Sequence, residues 1–570
     1  MKRLVIDPVT RVFGPLRLEA DVVNGRVKSA YLSGTMVRGV ESILEGRDPR
    51  EAWAFTQRIC GVCGVAHAVA SVRAVEDALR VKVPRSASLV RKLMIGTSFL
   101  QNHATHFYHL QSLDWISPIH ALNADPEKTS EFARTVSDYE KSTPSYFKEL
   151  QNRIRTQIEN GQQGLFSGGY WEHPEYRLPP EVSLLILTHY MEAINWQAQV
   201  VQVHTIFGGK SPHPNFVVGG MPSPIDLQSD TAINLERLNR VKTIIDQMVN
   251  FVEKVYLQDV LAICMFYKDW FNIGEETGNF LVLGEPEGDS YKEGKFFMPP
   301  TFIRKGDLKT YEDVDYTKIE EFVTHSWYAY GKGDEVGLHP YQGETVLNYT
   351  GPEPPYKTLK VDGKYSWIKA PRYKGLPSEV GPLARVLSLY ARNANGVREM
   401  VDVALSKLEL PIQALFSTMG RTLARALEAI VYARAMKEWY RELMDRVRSD
   451  DGKVFNSEKW EASKLSGEAK GLGLVEAPGG SLSHWVYIKG GSIANYQIIS
   501  PSTWNCSPRD AKNQPSPCEA SLVGHSVAIL EEPLEVLRTL HSFDLCPSCA
   551  SHLYETKSNR LSPFTGEFHT

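Results

Sequence analysis

Four of the seven cysteines stand in two pairs of identical spacing. Cys60 and Cys63 lie in TQRICGVCGVAH, with His67 four residues on, and Cys546 and Cys549 lie in HSFDLCPSCASH, with His552 three residues on. A C-x-x-C pair can cycle between dithiol and disulfide, hold structural zinc, or bind a softer redox metal. A thioredoxin-type site needs one such pair in a strand–helix–strand setting, and neither pair sits in one. Zinc ribbons close over roughly 15–20 residues, whereas 482 residues lie between Cys63 and Cys546. Structural zinc and a soft-metal catalytic cluster with bridging thiolates both stay open on spacing alone.

The elements that must position these sulfurs can be read from periodicity. Cys60, Cys63 and His67, at i, i+3 and i+7, would share one helical face. The helical GVAHAVASVRAVEDALR that follows places the pair at a helix N-terminus, where the dipole favours thiolate. Pro547 is compatible with a first helical turn. Near the start, LRLEADVV and RVKSAYLS flank Asn24-Gly25, a two-residue hairpin signal. Long helical patterns begin near Ser86, and Leu238, Val241, Ile245, Met248, Val252 and Val255 form a core stripe.

The expected fold is therefore mainly α with β insertions. Residues 1–85 hold the hairpin and the first cysteine pair, and 86–274 the first part of a long-helix bundle. A β- and loop-rich insertion occupies 275–380. Two bundle helices are expected in 381–448, the clearer running from PIQALFSTMG onward. Residues 449–552 carry strands and return the second pair to the first, and 553–570 form a polar extension.

Composition excludes several classes. The net charge of −4 gives no basic field for nucleic acid or anionic membrane. MKRLVIDPV has too short an apolar run for a signal peptide, and no run approaches the roughly 18 residues of a spanning helix. A membrane or periplasmic place would then come through a partner. Cys264, Cys506 and Cys518 are isolated, and an odd count does not suggest a disulfide scaffold.

Beyond the cysteines, DPVTR, RGVE, HFYHLQSLDW, NYQIISPSTWNCSPRD, EASLVG and EPLEVLRTLHSFD recur in an order that resembles the large subunit of nickel–iron hydrogenases, most closely the uptake, membrane-associated branch. The resemblance covers nearly the whole chain. It implies that Cys60, Cys63, Cys546 and Cys549 bind nickel, with Cys63 and Cys549 bridging to an iron that carries one CO and two cyanides. It implies heterolytic cleavage of H2, with Cys546 as a proton acceptor, and electrons leaving through iron–sulfur clusters of a separate small subunit toward a membrane cytochrome or quinone-linked acceptor. By the same resemblance His67 hydrogen-bonds a bridging thiolate, and Ser502 meets a cyanide. Glu41, His552 and the carbonyl of Ile498 resemble the ligands of a structural magnesium. A maturation endopeptidase would cut after His552 and release Leu553–Thr570.

Several positions depart from that pattern. Phe13 stands where a proton-accepting glutamate is usual, Gly479 where an arginine hangs over the metals, and Asn102 where an aspartate pairs with that arginine. Asp544 is retained, and Leu545 replaces a proline. The changes agree with one another, because a buried aspartate without its arginine would be an uncompensated charge. Assembly of the cluster is expected to persist while proton transfer is rerouted, with Asp544, Glu476 and water as substitutes. A slow hydrogen-sensing or weakly active homologue is the alternative within the fold. A non-catalytic scaffold whose four cysteines hold zinc is the alternative outside it.

Overall fold

The computed structural model describes residues 2–550 apart from 38, 162–168, 172, 354–355, 450 and 462–466. At the N-terminus, strands β1 (Lys2–Ile6), β2 (Leu16–Val23) and β3 (Arg26–Gly34) form an antiparallel sheet in that order. Asn24 and Gly25 both have positive φ, 51° and 72°, as a hairpin matched to strand twist requires. Alternation buries Leu16, Leu18, Ala20 and Val22 on one face. There they meet Leu537, Leu540, Phe543 and Leu545 from the far end of the chain.

Helices α1 (Gly64–Leu79) and α2 (Arg85–Thr105) follow, then α3 (Pro180–Val200), α4 (Leu235–Phe251) and α5 (Leu257–Phe266). All six residues of the expected stripe are buried. The segment 381–448 holds three helices rather than two: α6 (Pro382–Ala391), α7 (Val397–Leu408) and α8 (Thr418–Arg448). The break between α6 and α7 is set by Asn393, Asn395 and Gly396, at φ 52°, 55° and 67°, values that asparagine and glycine tolerate best. The last helix begins at Thr418 rather than Pro411, because Ser417 caps it by accepting from Gly420 N. Short strands and turns fill 275–375, among them Ile319–Phe322 paired with Ala370–Tyr373.

The C-terminal region builds a second sheet from β4 (Glu468–Ala477), β5 (Gly480–Lys489) and β6 (Ser492–Ile499), antiparallel in that order. It lies directly on α1. A Cβ at Gly473 would sit 1.9 Å from Ala70 O, and one at Gly471 2.0 Å from Ala74 O, so only glycine permits this approach. Alanines at 66, 70, 74 and 78, four apart, keep this helix face equally thin. Helix α9 (Leu534–Ser542) and the single turn α10 (Pro547–Ala550) end the described chain. No helix among the described residues is long and apolar enough to cross a membrane.

Candidate metal centre

Both cysteine pairs stand at helix starts. Cys63 precedes the first residue of α1, and Pro547 opens α10 immediately after Cys546. Cys60 is not on the helix with Cys63. It is extended, at φ −139° and ψ 137°, after a single turn at Gln57–Ile59. This lets the backbone turn back, so that Val62 N and Cys63 N donate to Cys60 Sγ at 3.3 and 3.2 Å. A continuous helix would have spent those N–H groups on carbonyls.

The four sulfurs converge. Cys60 Sγ lies 3.6 Å from Cys546 Sγ, Cys63 Sγ 3.2 Å from Cys549 Sγ, and Cys546 Sγ 2.8 Å from Cys549 Sγ. All four fall within 4.8 Å of one another. Such crowding splits their acidities. Hydrogen bonds led by Cys546 draw the Cys60 thiol well below its usual range. Competition with Cys546 first pushes Cys63 well above it, and burial first does the same to Cys549. Four soft donors that cannot all ionise unaided are a set completed by a thiophilic cation, so the residues present fit nickel.

The N-terminal segment holds the second pair in place. Phe13 N donates to Leu545 O at 3.1 Å, and Ser548 N donates to Phe13 O at 3.0 Å. Gly14 has no room for a side chain, since its Cβ would lie 2.3 Å from Ser548 Oγ. Ser502 Oγ accepts from Cys546 N at 2.8 Å, while the cap of its own short helix is made by Ser500. The Ser502 hydroxyl thus keeps its hydrogen to give.

A cavity of about 30 Å³ lies against the sulfurs, with His67, Ser502, Asp544, Phe13, Asn102 and Gly479 in its lining. Three positions of departure from the hydrogenase pattern, Phe13, Asn102 and Gly479, therefore line one cavity, and Leu545 does not. Beside it is a cation the sequence reading did not single out. Arg425 on α8, 1% exposed, reaches Asp544 Oδ2 at 3.0 Å, His103 Nδ1 at 3.0 Å and Asn102 Oδ1 at 3.4 Å. Burial pushes the Asp544 carboxyl up, and Arg425 opposes that rise. From His103 the ionic contacts continue through Glu428 at 2.9 Å to Arg385 at 2.8 Å and on to Glu476 at 3.1 Å. Glu476 is thus no neighbour of the cavity. It also accepts from Gly284 N and Ser481 Oγ. Arg421, Arg425 and Glu428 recur at helical spacing inside an otherwise apolar run, and that was the signal available in the sequence.

A second polar site lies around Glu41. Its carboxylate, 1% exposed, accepts from Ile498 N at 2.9 Å, from Lys369 Nζ at 3.2 Å and from the Thr345 hydroxyl. Glu41 and Ile498 are thus together, and His552 lies outside the described residues. Glu321 is 1% exposed, and neither of its carboxylate oxygens has a hydrogen-bond partner. Burial pushes it up to about 7, against the pull of Lys369 and with Glu41 adding to the rise. A buried carboxylate with both oxygens unmet beside a second carboxylate fits a hard divalent cation such as magnesium. In IEEFVTH, alternation sets Glu321 on the strand face of Ile319 and Val323, both buried, and that was the signal available in the sequence.

Comparison with known proteins bears on this geometry. A model of one protein family, described as nickel-dependent hydrogenase, matches residues 38–552. The uptake hydrogenase large subunit of Rhodobacter capsulatus is 46% identical over 578 residues, covering 98% of this chain and 97% of that one. The hydrogenase-1 large chain of Escherichia coli K12 is 44% identical over 576 residues, covering 98% and 96%. Among solved structures, the Ni-Fe-Se hydrogenase from D. vulgaris Hildenborough in the reduced state aligns at a TM-score of 0.76 and 33% identity, covering 97% of this chain and all of that one.

Proposed function

The chain belongs to the nickel-dependent hydrogenases, oxidoreductases that act on H2, and from that premise we propose that Cys60, Cys63, Cys546 and Cys549 hold nickel, with Cys63 and Cys549 shared with an iron bearing one CO and two cyanides. The convergence of four sulfurs within 4.8 Å carries this reading. When bound, the centre supplies the site at which H2 is split heterolytically.

The rest is work for this chain's own residues. Cys546 is half-buried at the cavity edge and accepts a proton as thiolate. Asp544 is the carboxylate nearest to hand, held by Arg425. Ser502 has a hydroxyl hydrogen to offer a cyanide. Phe13 excludes water and cannot relay a proton. Glu41 and the Ile498 carbonyl, with His552 and with Glu321 at the rim, hold magnesium.

Uptake relatives are large subunits by name, which supports an iron–sulfur small subunit as partner and electron exit. That partner would also give the membrane association and lead to a cytochrome or quinone-linked acceptor. Removal of residues 553–570 by an endopeptidase completes this reading. A C-terminal mass that still includes Thr570 in the nickel-loaded protein would overturn the last point.

The deciding experiment combines metal analysis with infrared spectroscopy of the purified, matured protein. Nickel and iron in equal amount with carbonyl and cyanide bands are expected, and zinc alone would sink the proposal. Phe13, Asn102 and Gly479 in the lining of one cavity favour a second reading, a slow hydrogen-sensing homologue. Hydrogen-dependent dye reduction separates a fast enzyme from a slow one.

A further inference from the structure

The three departures that line the sulfur cavity differ in what they take away. Phe13 puts a hydrocarbon where an acceptor is usual. Gly479 removes a guanidinium, and with it a fork of N–H donors. Asn102 alone of the three adds a capacity, since an ionised aspartate can only accept whereas a carboxamide also donates.

Arg425 fixes which way the Asn102 carboxamide is turned. A guanidinium has donors and no acceptor, so the atom facing it, 3.4 Å from Arg425 Nη1, is Oδ1. The reverse orientation would set N–H against N–H. The same Arg425 nitrogen serves Asp544 Oδ2 and His103 Nδ1, both at 3.0 Å, and so is held from three sides. With Oδ1 committed to Arg425, Nδ2 takes the other branch of the fork. Among the described residues Nδ2 meets no hydrogen-bond acceptor, although Asn102 is only 5% exposed. The open space that Asn102 lines is the sulfur cavity, with Ser502 in the same lining. A buried amide N–H2 without an acceptor keeps its desolvation penalty unless the occupant of that cavity accepts from it.

We propose that Asn102 is a positioning residue of the metal centre, whose Nδ2 donates a hydrogen bond to one cyanide of the iron. Ser502 has a hydroxyl hydrogen for one such ligand, and Asn102 supplies a donor for the other. Two tasks that a single guanidinium at 479 could combine are divided here, with Arg425 balancing the charge of Asp544 and Asn102 donating into the cavity. The inference rests on the metal-centre reading above.

A donor on a cyanide nitrogen draws electron density away from the iron. Asn102→Leu keeps a branched side chain and removes the donor, so the carbonyl and cyanide stretching bands should fall in frequency at unchanged nickel content. Asn102→Asp keeps the shape and an oxygen for Arg425 but has no N–H, and it lowers the same bands. It serves as the readout if Asn102→Leu fails to load nickel. Bands that stay put, or rise, in a nickel-loaded variant overturn the proposal. A wild-type protein with neither nickel nor bands would instead sink the metal-centre reading, so the two failures are distinguishable.

Discussion

The sulfur cavity and the oxygen pocket around Glu41 answer the problem of burial in opposite ways. The cysteines are packed so tightly that each meets another sulfur within 3.6 Å, and their mutual hydrogen bonds stand in for a cation. In the oxygen pocket Glu41 is met by a lysine, a hydroxyl and a backbone N–H, while Glu321 is left with both oxygens bare. Soft donors can wait for their metal by sharing hydrogens. Hard donors cannot, because a carboxylate without donors keeps the full desolvation penalty. The oxygen pocket should therefore be the more strained of the two without metal, and the sulfur cavity the more dependent on metal for chemistry.

The largest effect is expected from breaking the sulfur side. Cys549→Ser should reduce nickel content and hydrogen-dependent dye reduction to background, with the fold retained by circular dichroism. Next comes the ionic line behind the cavity. Burial raises the Glu428 carboxyl, but Arg385 and His103 outweigh it and hold it at about 2, against an ordinary 4.5. A depressed carboxyl contributes stability that is present above 4.5 and lost as pH falls through about 2. The difference is roughly 3 kcal/mol at 1.36 kcal/mol per unit. Glu428→Gln should cost about 3–5 kcal/mol near neutrality and flatten the acid limb of a plot of denaturant midpoint against pH.

On the oxygen side, magnesium at a hundred times its dissociation constant should stabilise the protein by about 2.7 kcal/mol. Chelation should remove that gain, and Glu321→Gln should shrink the difference between the two conditions; equal melting curves with and without chelator would contradict the site. The smallest change expected is a gain. Phe13→Glu restores a carboxyl to the altered wall and should raise hydrogen–deuterium exchange about tenfold, or about 1.4 kcal/mol. Gly479→Arg is the companion test, since a Cβ there meets nothing nearer than 3.6 Å.

Much of this architecture was legible in the sequence because it is written in short-range patterns. The Asn24-Gly25 hairpin, the stripe from Leu238 to Val255 and the two C-x-x-C motifs each depend on neighbours a few residues away. What stayed hidden depends on distant partners. Cys60 leaves the helical face because its sulfur takes two backbone N–H groups, which spacing alone does not reveal. Arg425 and Glu321 read as ordinary helix and strand charges until Asp544 and Glu41 are brought beside them. The split between α6 and α7 was visible in the Asn-Ala-Asn-Gly turn, whereas the start of α8 at Thr418 turned on Ser417 acting as a cap.

The pairing of residues 13–14 with 545–548 also has a consequence in time. Cys60 and Cys63 leave the ribosome long before their partners, with 482 residues between Cys63 and Cys546. At about 5–20 residues per second the delay is roughly 25–100 s. For that interval the early thiols have no native companions and are open to oxidation or capture by whatever metal is at hand.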